Sequence, residues 1–255
     1  MNTSKITVLL AALFVANTGC KKDEDPPVDD HDHGGGSATA TVEMEFGFHY
    51  GTNDFDLANS YFDGASHAVQ FTTIKFFVSG IHFVDDAQVE VAAFPDTYLL
   101  LDAATPEVAY TLGDVTGTHI HEAHFNLGLD SATNHADPTL AAAPLNDPTM
   151  HWAWNPAEGY KFLLVEGRVD DDGDGTVDIN DPTFSYHCAT DALLGEDEVE
   201  YHADITAGAT ISKHIEVQVD VLMMGIDALA TPMGMGAEPV NVSLMQNLAT
   251  AITVD

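Results

Sequence analysis

The sequence predicts an all-β fold: a two-sheet sandwich, or barrel-like antiparallel sheets, with one or two small helices. Residues 42 to 49 alternate strictly, with Val42, Met44, Phe46 and Phe48 on one face and Glu43, Glu45, Gly47 and His49 on the other, the period of a half-buried strand. Short apolar runs bounded by Gly, Pro, Asn and Asp then follow one another with little helical periodicity between them. Helical spacing emerges only near the end, at Val242, Leu244, Met245, Leu248 and Ile252.

In chain order, the first stretch lies outside that fold. MNTSKITVLLAALFVANTGC has one lysine, an apolar run from Ile6 to Ala16 and small residues before Cys20, the layout of an export signal over residues 1 to 20. Asn17-Thr18-Gly19-Cys20 resembles a bacterial lipoprotein cleavage box, with Asn17 where leucine is usual. On that reading Cys20 carries the lipid, and the protein is exported to the periplasm or cell surface, anchored to the outer membrane. Cys188 then has no cysteine left to pair with. Residues 21 to 40 are charged, then rich in proline and glycine, and read as a disordered acidic tether. The folded domain is expected over residues 41 to 255.

After the first strand, the run from Ala68 to Asp86 predicts a strand or strand pair interrupted at Ser79-Gly80. Tyr98 to Asp102 predicts a short strand. TGTHIHEAHFNLGLD predicts a strand with His119, His121, Ala123, Phe125, Leu127 and Leu129 on one face and Glu122 and His124 on the other. Residues 131 to 149 form a turn-rich connection, long enough to be functional or to cover something. FSYHC at 184 to 188, VEYHAD at 199 to 204 and SKHIEVQVDVLMM at 212 to 224 are strand-like again. The terminal helix is expected to pack on the sheets.

The chain of 255 residues carries 41 acidic side chains against 7 basic ones, a formal net charge of -34. Such a surface repels phosphate backbones and attracts cations, so nucleic acid is excluded as a partner. The attraction has a focus. Asp170, Asp172, Asp174, Thr176, Asp178 and Asp181 occupy positions one, three, five, seven, nine and twelve of a loop with Gly175 at the sixth. Hard carboxylate oxygens at that spacing wrap Ca²⁺, with the Thr176 carbonyl completing the ring. Asp181 stands where a bidentate Glu is usual in the EF-hand, and the loop looks more like those of dockerin-type and thrombospondin type 3-like repeats. With no amphipathic helix on either side, its expected role is to clamp a hairpin.

Two further clusters allow more than one reading. In an extended Met150-His151-Trp152-Ala153-Trp154, the methionine and both indoles share a face and His151 points opposite; the indoles are either core packing or a stacking platform. His119 and His121 either chelate a metal or form the exposed end of a half-buried strand. The corresponding functions are a calcium-dependent adhesion or carbohydrate-binding module, and a metal-dependent enzyme. No nucleophile-base pair, phosphate loop or paired-acid arrangement supports turnover, so a non-enzymatic protein is expected.

FNLGLDSATN at 125 to 134, APLNDPTMHWAWNPAEGYKFLLVEG at 143 to 167 and FSYHC together resemble the MbnP-like family, exported copper-binding proteins associated with methanobactin. The FHYGTNDFDLANSYFD, IKFFVSGIHF and DALATPMGMGAEPVNVSLMQNLATAI segments resemble its remaining strands and terminal segment, so the similarity spans most of residues 42 to 252. The resemblance implies copper held by histidines, His49 in the first-strand position and His187 in the Phe-x-Tyr-His position. It also implies oxidation of an indole, Trp152 or Trp154, to kynurenine by a dihaem peroxidase-like partner protein. His151, where an aromatic residue is common, is an added ligand or a neutral change. Cys188 is either a soft ligand beside His187 or a buried apolar group. Met150, Met223, Met224, Met233 and Met235 are thioethers that remain unassigned.

Overall fold

The alternation at residues 42 to 49 becomes the middle of a sheet. In the computed structural model, which describes residues 36–152 and 158–254, the strands in chain order are β1 (Ala38–Tyr50), β2 (Asn53–Asp54), β3 (Tyr61–Phe62), β4 (Ala68–Val84), β5 (Glu90–Phe94), β6 (Leu99–Asp102), β7 (Glu107–Gly117), β8 (His119–Leu127), β9 (Lys161–Val169), β10 (Thr183–Ala189), β11 (Gly195–Asp204), β12 (Thr210–Gln218), β13 (Met233–Met235) and β14 (Ile252–Val254). Three short helices join them: α1 (Ser131–Asn134), α2 (Val219–Leu222) and α3 (Pro239–Ala251). The proposed signal, Cys20 and the tether as far as residue 35 lie outside the described residues, whereas Ala38, Thr39 and Ala40, expected as tether, already belong to β1, with Ala40 buried.

The first sheet has five strands. β1 pairs in parallel with β12 and antiparallel with β7 and β2, and β14 extends the β12 edge. The second has nine, in the order β11-β8-β4-β9-β10-β13, with β3, β5 and β6 also on β4. The two pack as a sandwich. Val42, Met44, Phe46 and Phe48 are fully buried, and the Phe48 ring meets Phe76 of β4 edge-on at 6.1 Å. The Tyr201 hydroxyl of β11 donates to the Glu43 carbonyl of β1, satisfying a polar tip inside an apolar layer. Each such side chain stabilises the fold by roughly 1.5–3 kcal/mol through area burial.

Four departures from the sequence reading have local causes. The sheets are mixed, because β1 with β12 and β10 with β13 run parallel. β4 continues through Ser79-Gly80 for 17 residues: Gly80 sits at φ 60, and the side chain of Asn126 occupies the space a Cβ would take, 2.5 Å away, so the expected interruption is a bulge. β7 was not anticipated, although Val108, Tyr110 and Leu112 alternate with the exposed Glu107, Ala109 and Thr111 and pack on the core. The run from Ser212 to Met224 turns helical at Val219.

The connection at 131 to 149 does cover something. It is held to the second sheet by Lys75 Nζ of β4 to Asp147 at 3.3 Å and by Lys161 Nζ of β9 to the Thr149 carbonyl at 2.7 Å. α3 buries Leu244, Met245, Leu248 and Ala251. Its Asn241 amide donates to the backbone carbonyls of His187 at 3.0 Å and Gly236 at 2.9 Å, so the helix holds the far end of β10 in place.

Candidate metal centre

On β10, Tyr186 and Cys188 are fully buried, which leaves Ser185 and His187 on the opposite face. Glu166 of β9 stands in register with Ser185, and Met235 of β13 with His187. Over them folds the segment after the long connection. Met150 accepts from the Lys161 N–H at 2.7 Å, His151 bridges to Tyr160, and the Trp152 N–H donates to Gly159 at 3.2 Å. This small hairpin sends Met150 into the core and lays Trp152, 3% exposed, against His187.

The contact is polar as well as apolar. Trp152 Nε1–H donates to His187 Nδ1 at 3.3 Å. An indole is only a donor, so Nδ1 holds the lone pair and Nε2 carries the proton. Nε2 lies 2.9 Å from Glu166 Oε1 and 2.9 Å from Ser185 Oγ, and the serine also donates to Glu166 at 3.2 Å. A carboxylate behind the distal ring nitrogen is how metal-ligating histidines are oriented. Burial pushes the His187 pKa down, Lys161 adds to the shift, and Glu166 opposes it. The ring is therefore neutral and ready to donate its Nδ1 pair. Trp152 also lines a surface cleft with Glu158, Thr190 and Met235, and Met235 is the backbone partner of His187 in the β10-β13 pairing; spacing alone did not single it out, but that register does.

The remaining nominated residues lie elsewhere. His151 turns away from His187 and packs edge-on against Tyr160 at 5.3 Å. Trp154 lies outside the described residues. Cys188 points into the core, its Sγ 3.8 Å from the Asn241 carbonyl, and burial drives its pKa far up, so the thiol behaves as a small apolar group and not as a ligand beside His187. Trp152 is too buried to act as a stacking platform.

His49 joins a different group. On the outer face of the first sheet its Nε2 is 3.9 Å from Glu107 Oε1, and His214 Nε2 is 4.0 Å from Glu107 Oε2; both nitrogens are buried without a hydrogen bond. Gly47 lies beneath them, and a Cβ there would come within 2.5 Å of His214 Nε2. Among the described residues no interaction joins His49 to His187, and the expected convergence of the two on the tryptophan segment gives way to two sites in two sheets. Sequence reasoning missed Glu107 with the strand β7 that carries it. His119 and His121 do share a face, but Ile120, Ala123, Phe125 and Leu127 are the buried set; the inward phase slips between Ile120 and Ala123, beside a bulge in β11.

The acidic loop joins β9 to β10 as a hairpin. Carboxylate oxygens of Asp170, Asp172 and Asp174 lie within 4.8 Å of one another. Asp170 accepts from the N–H groups of Asp172, Gly173 and Gly175, and Gly173 and Gly175 adopt φ 77 and 82. Those backbone donors, Gly173 first, hold the Asp170 pKa down. At Asp172 the Asp174 N–H works in the same direction, but the neighbouring carboxylates outweigh it and push the pKa up. Asp181 accepts from the Asp178 N–H at 2.6 Å, closing the loop; Thr176 donates its N–H to Asp174.

Against known proteins, the MbnP family model matches residues 39–238. The solved structure of MbnP from Methylosinus trichosporium superposes with a TM-score of 0.51 at 15% identity, over 81% of this chain and 87% of that one, a likeness of fold. No curated protein matches the sequence.

Proposed function

The chain belongs to the MbnP family, and from that premise we propose that it is an exported copper-binding protein whose copper is held at His187 beside Trp152. One observation carries the reading: a half-buried, neutral imidazole with its Nε2 backed by Glu166 and its Nδ1 turned to an indole 3.3 Å away. Imidazole suits copper in either oxidation state, and the thioether of Met235 favours Cu(I). Trp152 is the indole we assign to oxidation. Oxidative cleavage of its C2–C3 bond, followed by hydrolytic loss of C2 as formate, would leave kynurenine and convert Nε1 from an obligate donor into an aromatic amine, so that two nitrogen lone pairs face one ion. A dihaem peroxidase-like partner is the proposed oxidant, as the resemblance implies.

The rest of the chain supports this role without turnover. We assign Ca²⁺ to the loop from Asp170 to Asp181, where it clamps the hairpin that carries both Glu166 and His187. Residues 1 to 20 are assigned to export and Cys20 to lipid attachment at the outer membrane. Equilibrium dialysis of the full chain against Cu(I) tests the reading: His187→Ala is expected to lose the copper and His49→Ala to keep it. Equal affinity in wild type and His187→Ala rejects it.

A further inference from the structure

Three imidazoles converge on the outer face of the second sheet. β8 contributes His119 and His121, which period-two geometry aims the same way. β11 contributes His202 through a bulge, since its pairing with β8 slips between Glu200 and Ala203. Tyr201 turns fully into the core, and His202 is carried outward at φ 27. A β-carbon disfavours that backbone conformation, so the position is held under strain, while His202 keeps the outward phase of Glu200 and Asp204. The His202 ring meets His121 edge to face at 4.5 Å between centroids and stands 6.0 Å from His119. One ligand nitrogen from each ring lies within 4.8 Å of the others.

Carboxylates complete the group. Asp86 Oδ1 lies 3.3 Å from His121 Nδ1 and 4.0 Å from His119 Nε2. Asp86 rides on a turn fixed by Asp85, whose Oδ1 accepts from the N–H groups of Ala87 and Val89. His121 Nδ1 is buried and makes no hydrogen bond, so its approach to Asp86 lacks hydrogen-bond geometry. On the far side of His119, Nδ1 bonds Asp204 Oδ1 at 3.1 Å. That bond puts the proton on Nδ1 and turns the Nε2 lone pair toward Asp86, the backing a metal-ligating histidine takes.

We propose that His119, His121 and His202, with Asp86 as a fourth donor, form a second metal site for a divalent cation of the zinc class, separate from Trp152 and His187. Three imidazoles and a carboxylate suit a borderline divalent ion, and the set has none of the sulfur that favours Cu(I). The His202 side chain is 48% exposed, so an ion enters from solvent, drawn by the acidic surface.

Equilibrium dialysis of the full chain against Zn²⁺, with calcium present to occupy the acidic loop, tests the proposal. Wild type and His187→Ala are expected to bind zinc equally. Asp204→Asn, which touches no ion, weakens binding about 10-fold by releasing His119, and His121→Ala weakens it further. His202→Asn removes a ligand and keeps a residue that tolerates positive φ; its zinc affinity falls although its metal-free melting temperature holds. Unchanged zinc affinity in both His121→Ala and His202→Asn overturns the proposal. So does loss of zinc in His187→Ala with retention in those two, which returns the ion to the tryptophan pair.

Discussion

The indole N–H of Trp152 points at Nδ1 of His187 across 3.3 Å, and the opposite ring nitrogen is held by Glu166 at 2.9 Å. The pair is built from a hairpin and a strand 35 residues apart in sequence. Its arrangement makes the proposed copper site sensitive to groups that touch no metal.

Glu166 is the first of these. Glu166→Gln keeps the size of the side chain but weakens the bond that orients His187, and a change of this kind costs about 10-fold in metal affinity. Competition against a chromophoric Cu(I) chelator measures it. Because Glu166 also raises the His187 pKa, the variant's imidazole should titrate lower than wild type by NMR.

Protonation of His187 gives a second prediction. Its folded pKa lies below the ordinary 6.5, chiefly through burial. The neutral ring's contribution to stability is therefore complete above pH 6.5 and is lost as pH falls through the depressed folded value. Copper competes with the proton only in that same acidic range, so Cu(I) affinity should stay level above neutrality and decline below it. Lys161→Met removes a cation that lowers this pKa, and the decline should move to higher pH.

The acidic loop predicts a calcium-dependent stability. An ion bound only by the folded state stabilises it by roughly 2.7 kcal/mol at a hundredfold excess over Kd. The urea midpoint of wild type should rise on adding calcium, while Asp172→Ala combined with Asp174→Ala shows no rise. A wild-type midpoint indifferent to calcium contradicts the assignment.

Cys188 separates packing from ligation. It is fully buried with a raised pKa, so a thiol reagent should modify it only after denaturation. Cys188→Ala should leave Cu(I) affinity unchanged; a large loss would return the sulfur to the site.

What the sequence disclosed, and what it withheld, follows from the range of the interactions. β1 was legible because Val42 to His49 alternates with period two, and the acidic loop because its ligands sit within twelve positions. His49 was assigned to the wrong company: Glu107 and His214 meet it through pairing of β1 with β7 and β12, and register between distant strands is not written in local spacing. His202 alternates outward with Glu200 and Asp204, but the spacing of β8 put His119 and His121 on the face of Ala123 and Phe125; the slip after Ile120, which turns them outward to meet it, is not written in local spacing. The tie of Trp152 to His187 needed both a hairpin at Tyr160 and the β9-β10 pairing.

Copper-edge anomalous diffraction from crystals of the copper-loaded protein tests the central claim most directly. The account predicts an anomalous peak bonded to Nδ1 of His187, with the residue at Trp152 opposite it. A peak between His49 and His214, or among His119, His121 and His202, with none at His187, would contradict it.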